Sequence, residues 1–303
     1  MSQNNHDTFW ILGGDLRSHW LAKHLLEEGK EVHCYAIDPL LLPKNNPKLH
    51  CHETLDFTEK KEDAPPIILF PLPFQNKEGN LYAPFHSATV ALSKIFSKIP
   101  SHAKIFAGQV KEEAKELAKI YQLSIEDFFL REELAIANAV PTAEGCIQII
   151  MERLPITLHD ARVMVLGYGK VATATAWRLG VLGARVTIAA RNVAQLEQAR
   201  ADGFHTERLG KLIGGLCCYN VIVNTIPAQV LGRGELEDSD EDCLIIDLAS
   251  LPGGVDFKEA EKLQRTVVQA LSLPGKVAPS TAGLTIMRSL FHMLDEEKEG
   301  ALL

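Results

Sequence analysis

Short apolar runs alternate with amphipathic stretches along the first part of the chain. The runs at residues 9–13, 32–37, 67–70 and 104–107 predict buried strands. Leucines at positions 21, 25 and 26 share one face of a predicted helix that ends at Gly29. Strands that alternate with helices form a parallel sheet covered by helices on both faces. We therefore predict an α/β domain at residues 1–135.

The same alternation returns in the second half. Apolar runs at residues 163–167, 185–190, 221–225, 244–248 and 267–270 predict the strands of a second α/β domain at residues 161–281. Residues 136–160 predict a helical linker that breaks at Pro141, with a fresh helix start at Thr142. Apolar positions 284, 287, 290, 291 and 294 follow one helical face, so a C-terminal helix at 282–303 is expected to complete the first domain.

Composition narrows the class of protein. The 303 residues carry a net charge of −8, which argues against a general binder of nucleic-acid backbones. No run of 18 apolar residues occurs, so we expect no membrane span and no membrane partner. The polar N-terminus lacks the pattern of a signal peptide, which favours the cytoplasm. The six cysteines form no C-x-x-C pair, so reduced thiols and no metal site are expected.

The sequence GYGKVA at residues 167–172 fits the G-x-G-x-x-A pattern between a predicted strand and a predicted helix. Gly167 permits a tight turn, Gly169 leaves room for a pyrophosphate, and Ala172 allows close helix–strand packing. The helix N-terminus offers free N–H groups to the anion. These features predict a dinucleotide-binding domain, and the predicted fold as a whole is two Rossmann-like doubly wound parallel-sheet domains with a cleft between them.

The strand after this motif ends without the carboxylate that binds the ribose of NAD. Its end carries Ala190, Arg191 and Asn192 instead. A guanidinium pairs with a 2′-phosphate, so we predict NADP as the cofactor, with NAD as the alternative. In the opposing interpretation, Arg191 is a solvent-exposed cation. The predicted cofactor-binding residues are Gly167, Tyr168, Gly169, Lys170, Val171, Ala190, Arg191, Asn192, Thr225, Ile226, Pro227, Leu248, Ala249 and Ser250.

Other strand ends carry polar residues. The GGDLR sequence at 13–17 is not a dinucleotide fingerprint, and Arg17 there is either a carboxylate ligand or a surface cation. Pro227 predicts the start of a helix. Asp247 either takes part in the chemistry or holds a loop.

Several segments together resemble the A subunit of dipicolinate synthase from spore-forming bacteria. They are residues 13–17, FPLP at 70–73, REELAIANAVPTAEG at 131–145, VLGYGKVA at 165–172, NTIPAQVL at 224–231, IIDLASLPGGVDF at 245–257 and LSLPGKVAPSTAG at 271–283. They span nearly the whole chain. Ser280 departs from the pattern, because a lysine is expected before the TAG sequence.

The resemblance implies oxidation of dihydrodipicolinate to dipicolinate with NAD(P), together with a dipicolinate synthase B subunit, in the cytoplasm of the sporulating mother cell. Such a reaction requires a clamp for two carboxylates and a group that accepts a proton. The clamp candidates are Arg17, Arg131, Thr142, Lys276 and Thr281. Glu144 is either the proton acceptor or a helix-start carboxylate, and no spacing distinguishes His86 or His102 as a base.

Two alternatives stay open. In the first, the chain is another NADP-dependent dehydrogenase, of the two-domain hydroxy-acid or shikimate type. In the second, it is a non-catalytic subunit that binds the cofactor. For the assembly, a homodimer is the default expectation, because symmetric dimers are the commonest oligomers.

Overall fold

Parallel strands form two six-stranded sheets in the computed structural model, which describes residues 8–57 and 65–300. The chain divides into two units. The first comprises Met1–Ala135 with Ala278–Leu303, and the second comprises Ile136–Val277. The sheets and their flanking helices confirm the predicted α/β fold class.

The first unit holds a sheet of order β3-β2-β1-β4-β5-β6. Its strands are β1 (Thr8–Leu12), β2 (Glu31–Tyr35), β3 (Leu49–His52), β4 (Ile67–Leu69), β5 (Lys104–Ala107) and β6 (Ile125–Asp127). Its helices are α1 (Leu16–Glu27), α2 (Leu92–Phe96) and α3 (Glu112–Ile120). Helix α4 (Glu132–Arg153) begins in this unit and continues into the second.

The second unit holds a sheet of order β12-β11-β10-β7-β8-β9. Its strands are β7 (Arg162–Leu166), β8 (Arg185–Ala190), β9 (His205–Arg208), β10 (Val221–Asn224), β11 (Leu244–Asp247) and β12 (Val267–Gln269). Its further helices are α5 (Lys170–Val181), α6 (Val193–Ala201), α7 (Arg233–Asp238), α8 (Phe257–Lys262) and α9 (Leu273–Val277); the last helix, α10 (Pro279–Gly300), returns to the first unit.

Both sheets therefore have the same winding. In each, the first three strands along the chain lie side by side from the centre of the sheet to one edge. The fourth strand then pairs with the free side of the first, and the last two strands continue to the opposite edge. The reversal lies between β1 and β4 in the first unit and between β7 and β10 in the second. At such a switch point the loops after the two central strands diverge, and ligands of open α/β sheets bind in the crevice between them.

Alternation along the strands separates two hydrophobic clusters in the first unit. Phe9 and Ile11 of β1 face one cluster, while Trp10 and Leu12 face the other. Helix α10 contributes Met287 and Leu290 to the first of these clusters, against Leu25 of α1. The C-terminal helix is thus packed into the core of the unit that the N-terminal residues begin.

Helix α4 departs from the prediction. It runs without interruption through Pro141, so the expected break and fresh start at Thr142 are wrong. Proline removes one helical hydrogen bond, at a cost of about 3 kcal/mol. Burial of Ala139, Ala143 and Cys146 on both sides of the proline offsets that cost. Residues 136–160 also join the core of the second unit rather than forming a separate linker.

By length and composition, α4 is apolar enough to cross a membrane, and 44% of its most apolar window is buried within the protein. A core helix of a water-soluble domain meets the same criterion. Its residues Cys146, Ile147 and Ile150 belong to a hydrophobic cluster of the second unit.

The sequence pattern did not predict three short strands. They are β3, β6 and β9, each at the edge of a sheet, and none of their residues is buried. Without a buried face, their sequences lack the apolar run that marks a central strand. The predicted helix at Pro227 is also wrong, since residues 225–230 form a loop and the next helix begins at Arg233.

Candidate functional site

The glycine loop after β7 lies at the switch point of the second sheet. Gly167 adopts φ +94°, a conformation that favours glycine, and its N–H bonds to the Ala189 carbonyl of β8 at 2.8 Å. A Cβ added there would lie 2.7 Å from Oγ1 of Thr225, which follows β10. The Thr225 hydroxyl in turn donates to the Leu166 carbonyl at 2.8 Å. Gly167 thus closes a tight junction between the two central strands.

Gly169 has a different environment. Its backbone is extended at φ −97°, it caps the N-terminus of α5, and an added Cβ would meet no atom of the described residues within 4 Å. The first-turn N–H groups of a helix lack intrahelical acceptors and favour an anion. Ala172 is fully buried against the sheet. The open space over Gly169, in front of the α5 N-terminus, fits a pyrophosphate.

Arg191 follows the end of β8, beside this loop. Its side chain is exposed and forms no hydrogen bond or ion pair with the part of the chain that the structure describes. Asn192 caps α6 by accepting a hydrogen bond from the Ala194 N–H at 2.8 Å. An exposed arginine therefore precedes the N-terminus of a helix, and both features favour an anionic group.

Asp247 at the end of β11 proves to be structural. Its carboxylate is fully buried and accepts hydrogen bonds from Asn224 Nδ2 at 2.8 Å, the Ala249 N–H at 3.2 Å and the Gly254 N–H at 3.0 Å. Asn224 Nδ2 also donates to the Ile226 carbonyl. This network fixes the loops after β10 and β11, and so places Thr225, Ile226, Leu248 and Ser250 at the same sheet edge as Gly167.

The predicted cofactor residues differ in what they offer. Lys170, Pro227 and Ser250 are exposed, and Val171 and Leu248 are half-buried. Ala190 and Ala249 are buried, so only their backbone atoms remain for a ligand. The ring of Tyr168 belongs to the hydrophobic core, and its hydroxyl donates to Asp202 at 2.6 Å. Burial, with that hydrogen bond, raises the pKa of Tyr168. Its side chain is committed to the fold.

The switch point of the first sheet is filled by an ion pair. Asp15 caps α1, and its carboxylate accepts from Arg17 Nε at 2.9 Å and Nη2 at 2.7 Å. Arg17 Nη2 also donates to the Leu72 carbonyl in the loop after β4. Only 5% of Arg17 is exposed. The GGDLR and FPLP sequences therefore meet here, and Arg17 already holds a carboxylate of its own chain.

Arg131 is likewise committed. Its guanidinium donates to Glu133 at 2.7 Å and to both oxygens of Glu296, at 2.8 and 2.6 Å. These bonds, with Glu296 first, raise the pKa of Arg131. Arg131 therefore has an ordinary pairing with a neighbouring glutamate, extended by Glu296 of α10.

Three further candidates lie in the second unit. The Thr142 hydroxyl donates to the Asn138 carbonyl within α4 at 2.7 Å. Glu144 is exposed in the middle of α4, 3.8 Å from Arg178 Nε, so it is not the helix-start carboxylate that the sequence suggested. A proton acceptor at this position would have to be buried, and the side chain of Glu144 is exposed. Lys276 on α9 is exposed, as is Thr281 at the start of α10 in the first unit.

Sequence reasoning missed two groups beside Asp15. His19 is 4% exposed; its Nδ1 lies 2.9 Å from the Asp15 carbonyl oxygen, and its Nε2 has no hydrogen-bond partner among the described residues. The carbonyl of Tyr82 accepts from the Gly14 N–H at 2.7 Å, and burial raises the pKa of the Tyr82 hydroxyl. The four-residue spacing of Asp15 and His19 was the available signal, because it places both on one helical face.

Comparison with known proteins identifies the family. Residues 8–129 match the family model of the N-terminal domain of the dipicolinate synthase A subunit. Over 295 residues the chain is 30% identical to the dipicolinate synthase A subunit of Bacillus subtilis (strain 168), covering 94% of this chain and 95% of that protein.

Solved structures agree. The dipicolinate synthase A subunit from Bacillus subtilis superposes with a TM-score of 0.85 at 28% identity, over 98% of both chains. The A subunit from Bacillus halodurans gives 0.84 at 28% identity, over 95% of this chain and 97% of that one. A transhydrogenase from Sinorhizobium meliloti, at 0.69 and 17% identity over 95% and 94%, shares the fold.

Proposed function

Because this chain belongs to the family of dipicolinate synthase A subunits, we propose that it oxidises dihydrodipicolinate to dipicolinate with a nicotinamide dinucleotide. The observation that carries the proposal is the open glycine loop at the switch point of the second sheet, where Gly169 leaves space in front of the α5 N-terminus. Oxidation removes a hydride from a ring carbon and a proton from a neighbouring atom, and the ring becomes aromatic.

The second unit would hold the dinucleotide. Gly169 and the N-terminus of α5 fit the pyrophosphate, while Thr225 and Leu248 border the same sheet edge. A nicotinamide bound there would supply the hydride acceptor. The protein supplies orientation, since the Asn224–Asp247 network keeps the loops that border the cofactor in one conformation.

Arg191 supports NADP over NAD. A carboxylate at the end of β8 would bind the ribose hydroxyls of NAD and repel a 2′-phosphate. This chain carries an exposed guanidinium there instead, beside the α6 N-terminus and without a partner among the described residues. Paired with a phosphate in two hydrogen bonds, it would favour NADP.

Carboxylate recognition is proposed for the candidates whose side chains are still available. The side chains of Lys276 and Thr281 form no hydrogen bond with the described part of the chain, whereas Arg131 and Thr142 are committed. Arg17 would act on a ligand by sharing its guanidinium with Asp15. A homodimer is proposed because symmetric dimers are the commonest oligomers. The resemblance to dipicolinate synthase adds a cytoplasmic location in the sporulating cell and a partner B subunit to the proposal.

Absorbance at the nicotinamide band tests both the reaction and the cofactor. Purified protein is incubated with freshly prepared dihydrodipicolinate and NADP⁺ or NAD⁺, with and without the B subunit. Reduction of NADP⁺ is expected. NADPH that binds without turnover under every condition would instead indicate a non-catalytic cofactor-binding subunit, and turnover of hydroxy acids or shikimate alone would indicate another dehydrogenase.

Titration of NADPH and NADH into the Arg191→Ala variant separates the cofactor argument from the reaction. Loss of the phosphate contact should raise the Kd for NADPH roughly 10- to 100-fold and leave that for NADH unchanged. Arg200→Ala, at the other end of α6, is the matched control. Equal NADPH affinity in the wild type and Arg191→Ala would remove Arg191 from the cofactor site.

A further inference from the structure

A cluster of imidazoles and one carboxylate occupies one face of the first sheet, near its edge. His33 of β2 pairs in register with His50 of the edge strand β3. Glu31 lies two residues before His33, and His52 lies two residues after His50, so alternation places all four on the same face. The opposite face carries Val32 and Cys34, which are buried in a hydrophobic cluster.

The polar atoms of this cluster converge. Glu31 Oε1 lies 3.1 Å from His50 Nε2 and 3.6 Å from His33 Nε2. One ligand atom from each of the three residues falls within 4.8 Å of the others. The side chain of His33 is 11% exposed, that of Glu31 is 25% exposed and that of His50 is 40% exposed. The group is therefore sheltered on one side and accessible to water on the other.

We propose that Glu31, His33 and His50 bind a divalent transition-metal ion of the zinc class. Zinc takes imidazole nitrogen and carboxylate oxygen at about 2.0–2.2 Å, which puts the ligand atoms of a tetrahedral site about 3.3 Å apart. The distances from Glu31 Oε1 to the two imidazole nitrogens, 3.1 and 3.6 Å, lie on either side of this value. The rings of His33 and His50 stack with their centroids 4.7 Å apart, so the half-exposed His50 ring would have to turn about its Cα–Cβ bond to bring Nε2 to the same ion. Two imidazoles and a carboxylate leave a fourth position for water.

The surroundings hold His33 in the orientation that such a site requires. Its Nδ1 lies 2.9 Å from His52 Nε2. With Nε2 on the metal, Nδ1 would carry the proton and donate to His52; a hydrogen bond from the second ring nitrogen commonly orients a metal-bound histidine. The Trp10 ring stacks on His33 at 4.5 Å and on His52 at 4.8 Å. His52 and Trp10 are thus positioning residues for the proposed ligand.

The site would join two strands through their side chains. β3 is an edge strand without a buried residue, and an ion held by Glu31, His33 and His50 would tie it to β2. The ligands come from two strands that are separated in sequence, so no metal-ligand spacing appears in the chain. The proposal is independent of the proposed oxidation and involves none of its residues.

Equilibrium dialysis of the metal-stripped full chain against Zn²⁺ tests the site. One Zn²⁺ per chain is expected to bind the wild type. Glu31→Gln and His50→Ala should each raise the Kd at least tenfold, and His52→Ala should raise it 10- to 100-fold through the outer hydrogen bond. His205→Ala, an exposed histidine on β9 in the second unit, is the matched control and should bind as the wild type does.

Visible absorption of bound Co²⁺ keeps the proposal testable if a variant folds poorly. The wild-type chain should give the bands of a low-coordinate site, and these should be lost in whichever of Glu31→Gln or His50→Gln retains the wild-type circular dichroism spectrum. Absence of stoichiometric Zn²⁺ binding in the wild type overturns the proposal. Equal affinity in Glu31→Gln, His50→Ala and the wild type does so as well, and would leave Glu31 and His50 in contact with each other without an ion.

Discussion

Gly167 and Gly169 belong to one loop, yet they lack a side chain for different reasons. Gly167 has positive φ and no room, because an added Cβ would lie 2.7 Å from Thr225. Gly169 has an extended backbone that any residue adopts, and the space in front of it is open. The first glycine is therefore required by the fold, and the second is required by the proposed ligand.

Alanine at each position should separate the two requirements. Gly167→Ala should destabilise the second unit by about 1–3 kcal/mol, because a side chain meets both positive φ and Thr225. Gly169→Ala should leave the melting temperature within a few degrees of the wild type and weaken NADPH binding about tenfold or more. Thermal unfolding and fluorescence titration measure the two effects. Unchanged NADPH affinity in Gly169→Ala would contradict the pyrophosphate assignment.

Glu126 on β6 gives the first unit a pH dependence. Burial, with a hydrogen bond to Glu297, raises its pKa from 4.5 to about 7, although Lys104 opposes the shift. Since the folded state favours the protonated carboxyl, the resulting stabilisation is complete below about pH 4.5 and is lost as the pH rises through about 7.

The Glu126→Gln variant should therefore gain stability relative to the wild type as the pH rises. Glutamine resembles the protonated carboxyl at every pH, so the two melting temperatures should be similar at about pH 5 and higher for the variant at about pH 8. Thermal unfolding across this range measures the difference. Glu116→Gln, an exposed position on α3, should show no such trend. A difference that does not vary with pH would contradict the assignment.

At the scale of elements, helices α1 and α10 approach so closely that one glycine decides their contact. A Cβ added to Gly283 would lie 2.9 Å from both the Arg17 carbonyl oxygen and the Leu21 nitrogen. Both are backbone atoms of α1, which cannot move aside as a flexible side chain does. His24 adds polar contacts, with its Nε2 3.1 Å from the Ser280 carbonyl oxygen and 3.3 Å from the Ser280 hydroxyl. Ser280 thus has a role at this helix pair in place of the lysine expected from the resemblance.

Gly283→Ala should push α10 away from α1 and destabilise the first unit by about 1–3 kcal/mol. The displacement would also reach Arg17, whose carbonyl is one of the atoms contacted. Thermal unfolding measures the loss, and Arg288→Ala, exposed on the same helix, is the control. Wild-type stability in Gly283→Ala would mean that the helices separate without cost.

At the scale of the whole molecule, two sheets of identical strand order carry different switch points. In the second unit the junction between β7 and β10 ends in an open glycine loop with an exposed arginine nearby. In the first unit the junction between β1 and β4 is filled by the Asp15–Arg17 pair and the Leu72 carbonyl. Winding alone therefore does not determine which unit binds a dinucleotide; the residues at the junction do.

The first unit is discontinuous, and its dependence on α10 is testable. A chain that ends at Val277 lacks Ile286, Met287, Leu290 and Leu294, which are buried in the core beside β1. Hydrogen exchange should show lost protection throughout the first unit and retained protection in the second, whose clusters of described residues include no residue of α10. Loss of protection in both units would show that the second does not fold independently.

The sequence by itself determined the central strands and the dinucleotide loop. Central parallel strands are buried on both faces and so appear as apolar runs, and the glycine pattern is local, with its turn, its small residues and its helix within a few positions. The resemblance was likewise carried by contiguous segments. Edge strands such as β3 had no apolar run to mark them, and the uninterrupted path of α4 through Pro141 depended on burial that no local pattern displays.

Only the tertiary structure decided which polar side chains are already paired. The sequence offers Arg17 and Arg131 as ligands for a substrate carboxylate, but Leu72 and Glu296 reach them from distant segments. Asp247 is structural because Asn224 at the end of β10 and two backbone N–H groups of the loop after β11 donate to it. The cluster of Glu31, His33 and His50 exists because two strands lie side by side. The physical reason is common to all: hydrogen bonds and ligand sets depend on distance in space, which register and packing fix and sequence spacing does not.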